Sequence, residues 1–287
     1  SDTHSFPTRR SSDLEKRFVG PSLSNLFFRN AELRKRRKKD RSTKWTDFLL
    51  KHSREVIEQT QPPHDGLADP VEFEVSMTIT VDPGVVEKGE TIRCWMPYPM
   101  QYQAQTDVEL LSSSPEVTWM NAADYPMRSL YFEQPSNGDK PTEFEATYTV
   151  TTYPRHFDID LERVANTSQT DNPYYEFFTS EEPPHVVFSN RIRKLADEIV
   201  GEETNPVKKA RKIYDWLADN LQYSYAREYS TLRNIPEYVL DNQYGDCGQI
   251  ALTFITLCRA SGVPARWQSG WIMYPDWENL HDWTEIY

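Results

Sequence analysis

The sequence predicts an α+β chain in which an N-terminal β-sandwich precedes a mixed helix-and-sheet domain. Three observations carry that expectation. Apolar residues fall at every second position in several segments of about residues 70–153. They recur at three- and four-residue spacing from Val207 to Leu221. Finally, a capped helical pattern opening at Cys247 is followed by an alternating segment from Leu280 to Tyr287.

A chain of 287 residues with 38% hydrophobic and 13% aromatic content can bury a core, read here as two domains. A mean hydropathy of −0.73 leaves part of it expected to stay unstructured. The net charge of −12 is unevenly spread: residues 1–60 hold 15 Lys and Arg against 8 Asp and Glu, the remainder 17 against 36. An acidic body repels a polyanion, so no nucleic-acid partner is expected. No apolar run reaches the roughly 18–20 residues that span a bilayer. Cys94, Cys247 and Cys258 are too few and too scattered for a disulfide framework or a zinc site. They fit a reducing cytoplasm and equally a bacterial exported protein whose signal lies upstream; the exported reading is preferred. The sequence is silent on oligomeric state.

Taken in order, Ser1 to Leu14 resembles a translated sequencing-adapter scar and is expected to be non-native. Residues 15–69 read as a charged, partly helical or disordered arm and linker. Within it, Arg34 to Lys39 is an unbroken cationic run, expected to be a solvated helix or arm rather than a membrane anchor. Gln61-Pro62-Pro63-His64-Asp65-Gly66 marks the linker. In the sandwich, residues 70–153, Phe73, Val75, Met77, Ile79 and Val81 share one side of a strand. Asp82-Pro83-Gly84 turns the chain, and Ile92, Cys94 and Met96 form a second inward row. Phe144, Ala146, Tyr148 and Val150 form another, so Cys94 is expected in the core. Residues 154–185 are an acidic, aromatic connector. Asn205 caps and Pro206 opens a helix with an apolar stripe of Val207, Ala210, Ile213, Tyr214, Leu217 and Leu221, and Trp216 packs beside it.

The chemistry concentrates in residues 186–287. Asp246 is a good N-cap, so a helix should begin at Cys247 and stop near Gly262 and Pro264. Unpaired amides at a helix start favour a thiolate and can also donate to an oxyanion. Gly248 leaves room for a substrate backbone. His281 follows Cys247 in a segment whose alternation puts His281, Trp283, Glu285 and Tyr287 on one face and Asp282, Thr284 and Ile286 on the other. A strand carrying His281 against the Cys247 helix would pair nucleophile and base. Spacing alone leaves open a merely buried cysteine and a satisfied histidine.

The run Gly245-Asp246-Cys247-Gly248, then Leu252, Phe254, Leu257, then Arg259 through Arg266, Gly270, and His281-Asp282-Trp283-Thr284-Glu285-Ile286-Tyr287 is similar to the transglutaminase-like core. That superfamily includes transglutaminases, peptide N-glycanases and bacterial cysteine proteases. The resemblance covers about residues 186–287. It implies a papain-like helix bearing Cys247 packed on an antiparallel sheet bearing His281, with a β-sandwich upstream. By the same resemblance Cys247 is the nucleophile, His281 the base, and the Cys247 amide with Tyr223, Tyr225 or Trp216 a source of oxyanion donors. The family's third member, an Asp or Asn on the next strand, has no counterpart in these residues, so a C-terminally truncated fragment is expected. Asp282, on the face opposite His281, and Asp276, in a loop, are not substitutes. Trp267, Trp271, Trp277 and Trp283 either line an acyl cleft or pack a core, and Cys258 is expected to be core. The activity this resemblance implies is cysteine-dependent amide hydrolysis or acyl transfer on a protein or peptide, through a thioester on Cys247, hydrolysis preferred. No cofactor or metal is implied. The alternative is an inactive module of the same fold that binds peptide or glycan.

Overall fold

Two units divide the chain, one within Ser42–Ile159 and the other centred on Asp160–Tyr287. The computed structural model describes residues 30–36, 44–61, 66–161, 164, 173–224, 227–274 and 277–287. The adapter-like segment, part of the cationic run, Tyr225 and Asp276 lie outside the described residues. Ahead of the sheets come helices α1 (Ala31–Arg36) and α2 (Lys44–Gln59).

The first unit carries β1 (Val71–Val81), β2 (Thr91–Pro97), β3 (Gln105–Ser114), β4 (Trp119–Met120), β5 (Ser129–Pro135) and β6 (Thr142–Thr152). They form two three-stranded antiparallel sheets, ordered β1-β6-β3 and β2-β5-β4. Alternation along each strand turns one row inward. Phe144, Ala146, Tyr148 and Val150 of β6 meet Cys94 and Met96 of β2 and Leu130 and Phe132 of β5 in one core. Burial pushes the Cys94 thiol up, as expected of a core thiol. On β1, Phe73, Val75, Met77 and Val81 pack against this core, but Ile79 is exposed. The expected row breaks there because β1 is an edge strand, with β6 on one side only.

The second unit holds α3 (Pro173–Thr179), α4 (Asn190–Val200), α5 (Pro206–Asn220) and β7 (Gln222–Tyr223). A single 3₁₀ turn (Tyr229–Thr231), α6 (Ile235–Asn242), β8 (Tyr244–Gly245), α7 (Cys247–Ala260), β9 (Ala265–Tyr274) and β10 (Trp277–Ile286) complete it. Helix α7 is the hub: α4, α5, α6 and both strands of the β9–β10 hairpin pack on it. Ile192, Ile213, Val239, Ile255 and Leu257 are almost completely buried around it. The buried hydroxyls of Thr253 and Thr256 fold back onto the carbonyls of Gln249 and Leu252, at 2.9 and 2.7 Å, which spares them a desolvation penalty.

Local chemistry sets the helix ends. Asn205 Oδ1 accepts the N–H groups of Val207 and Lys208 at 3.0 and 3.1 Å, with Pro206 at the first helical position. Ala210, Ile213 and Leu217 face inward from α5 and Trp216 packs against the core. Tyr214, expected in the stripe, is instead exposed, because its Cα lies at the stripe's margin and its hydroxyl stays in water. Gly262, at φ +75°, ends α7 in the left-handed conformation that glycine adopts without strain, and Val263 N–H returns to the Cys258 carbonyl at 2.9 Å.

Two substitutions test this account by urea denaturation. Asn205→Ala should cost about 1 kcal/mol through loss of the cap, and Phe144→Ala about 3–5 kcal/mol through the cavity it leaves. An Asn205→Ala variant as stable as the parent would show that the cap contributes nothing.

Candidate functional site

Cys247 is the first residue of α7. Asp246 caps the helix through Oδ1, which accepts the Gln249 N–H at 3.0 Å. The chain reaches this cap along β8, which runs parallel to β7 with Tyr223 opposite Gly245. A side chain at Gly245 would meet Gln249 Cβ at 3.0 Å and Val239 Cγ2 at 3.3 Å, so glycine lets the strand approach the helix closely.

The β9–β10 hairpin forms the opposing wall. Its register places His281 opposite Gly270, Asp282 opposite Ser269 and Thr284 opposite Trp267. Ile286 packs into the core and Thr284 Oγ1 donates to the Ala251 carbonyl at 3.4 Å, so this parity faces α7. Asp282 shares it. The Cys247 S–H donates to Asp282 Oδ2 at 3.7 Å. His281 lies on the other face beside Trp283, their ring centroids 6.4 Å apart. Among the described residues no hydrogen bond joins His281 to Cys247. The alternation expected of this strand is thus present, but the carboxylate passed over from sequence is the group that meets the thiol. Ile286 carried the signal: an apolar residue needs the helix side, and the two-residue period puts Asp282 with it. On the other parity, Arg266 Nε and Gln268 Nε2 both donate to Glu285 Oε2, at 2.7 and 2.8 Å.

The electrostatics differ from the expected helix-start thiolate. The backbone amides of Asp282 and Gly248 pull the Cys247 thiol down, but burial, helped by the charges of Asp282 and Asp246, pushes it up, and the upward influences win. Asp282 is also raised, chiefly by burial and further by Asp246, with its bond to Cys247 and the nearby His281 opposing. Resting Cys247 is therefore a protonated thiol.

One residue that sequence reasoning missed lies at the centre. Tyr229 donates its hydroxyl to Asp246 Oδ1 at 2.5 Å. A side chain at Gly248 would strike this hydroxyl first, then Trp267 Cη2 at 2.6 Å and Asp282 Oδ2 at 2.7 Å. Tyr229, Trp267 and Asp282 therefore converge over Gly248. No motif marks Tyr229, which arrives from an irregular segment. Burial, then the bond to Asp246, pushes its phenol far up, so it stays a proton donor. Of the other candidates, Tyr223 is exposed on β7 and Trp216 packs against the helical core. Trp271 and Trp283 are exposed, whereas Trp267 sits over Gly248, next to Cys247. Cys258 is completely buried, which pushes its thiol above the ordinary range. Among the described residues no group of three or more His, Cys, Asp or Glu side chains is gathered to hold a metal. No helix among them is long and apolar enough to cross a membrane.

Residues 193–287 match the family model described as the transglutaminase-like superfamily. An uncharacterized protein of Haemophilus influenzae is 35% identical over 88 residues, which is 29% of this chain and 23% of that one. The uncharacterized Bacillus subtilis protein YebA is 27% identical over 116 residues, 34% of this chain and 16% of YebA. The match thus spans less than a quarter of either curated relative. A solved structure of a proposed cysteine protease from Cytophaga hutchinsonii superposes with a TM-score of 0.58 at 20% identity, covering 77% of this chain and 74% of that one. This likeness is one of fold.

Two substitutions probe the stability of the site. Alanine ordinarily stabilises a helix by about 1 kcal/mol over glycine, yet Gly248→Ala should destabilise by about 1–3 kcal/mol through overpacking, read by urea titration; a gain would refute the crowded contact. For Asp282 the folded state holds its proton above the ordinary carboxylate range, so stability is lost as pH rises through that window. Asp282→Asn should therefore raise Tm at pH 7 and leave it unchanged near about pH 3, where both states are protonated. Equal gains at both pH values would contradict the shift.

Proposed function

We propose that the transglutaminase-like core of residues 193–287 is a cysteine-dependent acyl-transfer centre acting on an amide of a protein or peptide, with Cys247 as nucleophile and His281 as general base. One observation carries the reading: Cys247 Sγ stands at the first residue of a capped helix, drawn by two backbone amides and facing β10, which bears Asp282 on that side and His281 on the other. The core's resemblance in sequence supports the same pair.

Because burial and two carboxylates keep the thiol protonated, the step that fits is general-base attack rather than use of a standing thiolate. As Sγ adds to the carbonyl carbon, the S–H proton passes to the His281 imidazole, a step that requires His281 to turn to the Cys247 side of β10 from the opposite face it occupies here, where Asp282 meets the thiol. The carbonyl oxygen becomes an oxyanion received by backbone amides at the start of α7. Collapse expels the amine, which takes the proton back from His281, and leaves a thioester on Cys247. Water attacks the thioester, or a second amine does so in transamidation; we take water as the acceptor. An imidazolium at His281 also offsets Asp282, whose negative charge otherwise opposes negative charge on sulfur.

The test uses a peptide amide with a fluorogenic leaving amine, intact-mass detection of the acyl adduct, and iodoacetamide labelling across pH. Cys247→Ala should abolish both adduct and turnover. His281→Ala should lower kcat/KM by about 10²–10⁴-fold. Asp282→Asn should stay within about tenfold of the parent and label faster at pH 6 to 8, because a carboxylate that disfavours the thiolate is gone. The reverse pattern, with Asp282 indispensable and His281 replaceable, would make Asp282 the base. Absence of an adduct in the parent protein would leave a binding module for peptide or glycan.

A further inference from the structure

We propose that Tyr229 is a positioning residue for Cys247, acting through Asp246: its hydroxyl holds the capping carboxylate in place and draws its charge away from the sulfur. The inference rests on the reading of Cys247 as nucleophile and adds a group that no motif identified.

Geometry carries it. A single oxygen, Asp246 Oδ1, accepts the Gln249 N–H at 3.0 Å and the Tyr229 O–H at 2.5 Å. The second distance is that of a charge-assisted O–H···O⁻ bond. The phenol thus competes with the thiol for the influence of the nearest fixed charge in the cap. The segment that delivers Tyr229 is itself tied down. Gln249, fully buried on the first turn of α7, donates Nε2 to the Arg227 carbonyl at 2.9 Å, although its Oε1 meets no partner among the described residues. The 3₁₀ turn is closed by Leu232 N–H on the Tyr229 carbonyl at 3.0 Å. The Cys helix therefore grips residues 227–229 at two points, one through a side-chain amide and one through Tyr229. The titratable groups facing this arrangement are Asp246 and Cys247 at the start of α7, Tyr229 on the 3₁₀ turn, and Asp282 on β10 with His281 beside it.

Removing the hydroxyl leaves the Asp246 charge without its phenol donor and nearer to full strength at the sulfur. The thiol should then titrate higher, and its reactivity should fall wherever the thiolate is the minor form. Tyr229→Phe should slow iodoacetamide labelling of Cys247, followed by peptide mass, by about three- to tenfold at pH 7. The rates should converge with the parent's at high pH, where both thiols are ionised. Asp246→Asn keeps an oxygen for the cap but removes the charge, so it should speed labelling. In that background Tyr229→Phe should change the rate less than about twofold.

A Tyr229 that merely fills space gives the same labelling change in both backgrounds or none at pH 7, and either result overturns the proposal. Asp246→Asn labelling no faster than the parent overturns it as well, and that variant keeps the test decisive if Tyr229→Phe does not fold. Labelling reads the thiol whether or not the protein turns over a peptide. A missing acyl adduct with the predicted labelling pattern would therefore refute the acyl-transfer reading alone.

Discussion

The organisation of the site depends on one oxygen atom. Asp246 Oδ1 decides where α7 begins, because it satisfies an amide that the helix cannot satisfy internally. That decision makes Cys247 the first helical residue and leaves the Gly248 amide directed at its sulfur. A start shifted by one residue would turn the cysteine by about 100° around the helix axis and away from β10. The bond from Tyr229 to the same oxygen extends this control to an irregular segment that nothing else in the local sequence would place.

Charge around the sulfur is a contest in which magnitudes decide. A helix terminus contributes about 0.3–1 kcal/mol toward an anion in an exposed setting, and up to about 2 in a partly buried one. Against it stand burial of the thiol and two carboxylates, Asp246 and Asp282. The upward influences prevail, so a cysteine at a helix start is here held above the ordinary thiol range. The same burial acts on Asp282, and the two groups share one hydrogen bond across the helix–strand interface. A site of this kind is poised by what substrate or a neighbouring cation brings, rather than ionised at rest.

The wall that carries this contact is held far from the chemistry. Phe178 of α3 stacks on Tyr287 with centroids 5.3 Å apart, and Arg266 lies over both rings. Arg259, almost wholly buried at the end of α7, donates to the Ala265 carbonyl and to Glu182. These bonds clamp the end of the Cys helix and the start of β9 to the segment read from sequence as a connector. In that segment helix α3 buries Phe178 against Tyr287, while Phe177 stays exposed. The sandwich has a core of its own, in which β5 supplies Leu130 and Phe132. Strands β3 and β4 escaped detection for a physical reason: β4 has only two residues, and shifted register in β3 interrupts its pairing with β6. Helix α6 likewise owes its place to the cap at Asn234 and to packing against α7 more than to a long periodic stripe, whereas α4 buries Ile192, Ala196 and Val200 at four-residue spacing behind its cap at Ser189.

By itself the sequence determined what depends on neighbours along the chain. It placed the inward rows of β2 and β6, the caps at Asn205 and Asp246, the glycine stop at Gly262, and the alternation of Leu280 to Tyr287. Each comes from backbone hydrogen bonding or side-chain period over a few residues. Tertiary structure alone decided which face of β10 turns to Cys247, that Tyr229 reaches the cap, and that the thiol stays protonated. Those outcomes depend on groups far apart in sequence and on how much water they exclude when packed, and neither quantity is local. The cysteine helix was legible because a cap is a local match between one side chain and one amide; its environment was not, because burial belongs to the whole fold.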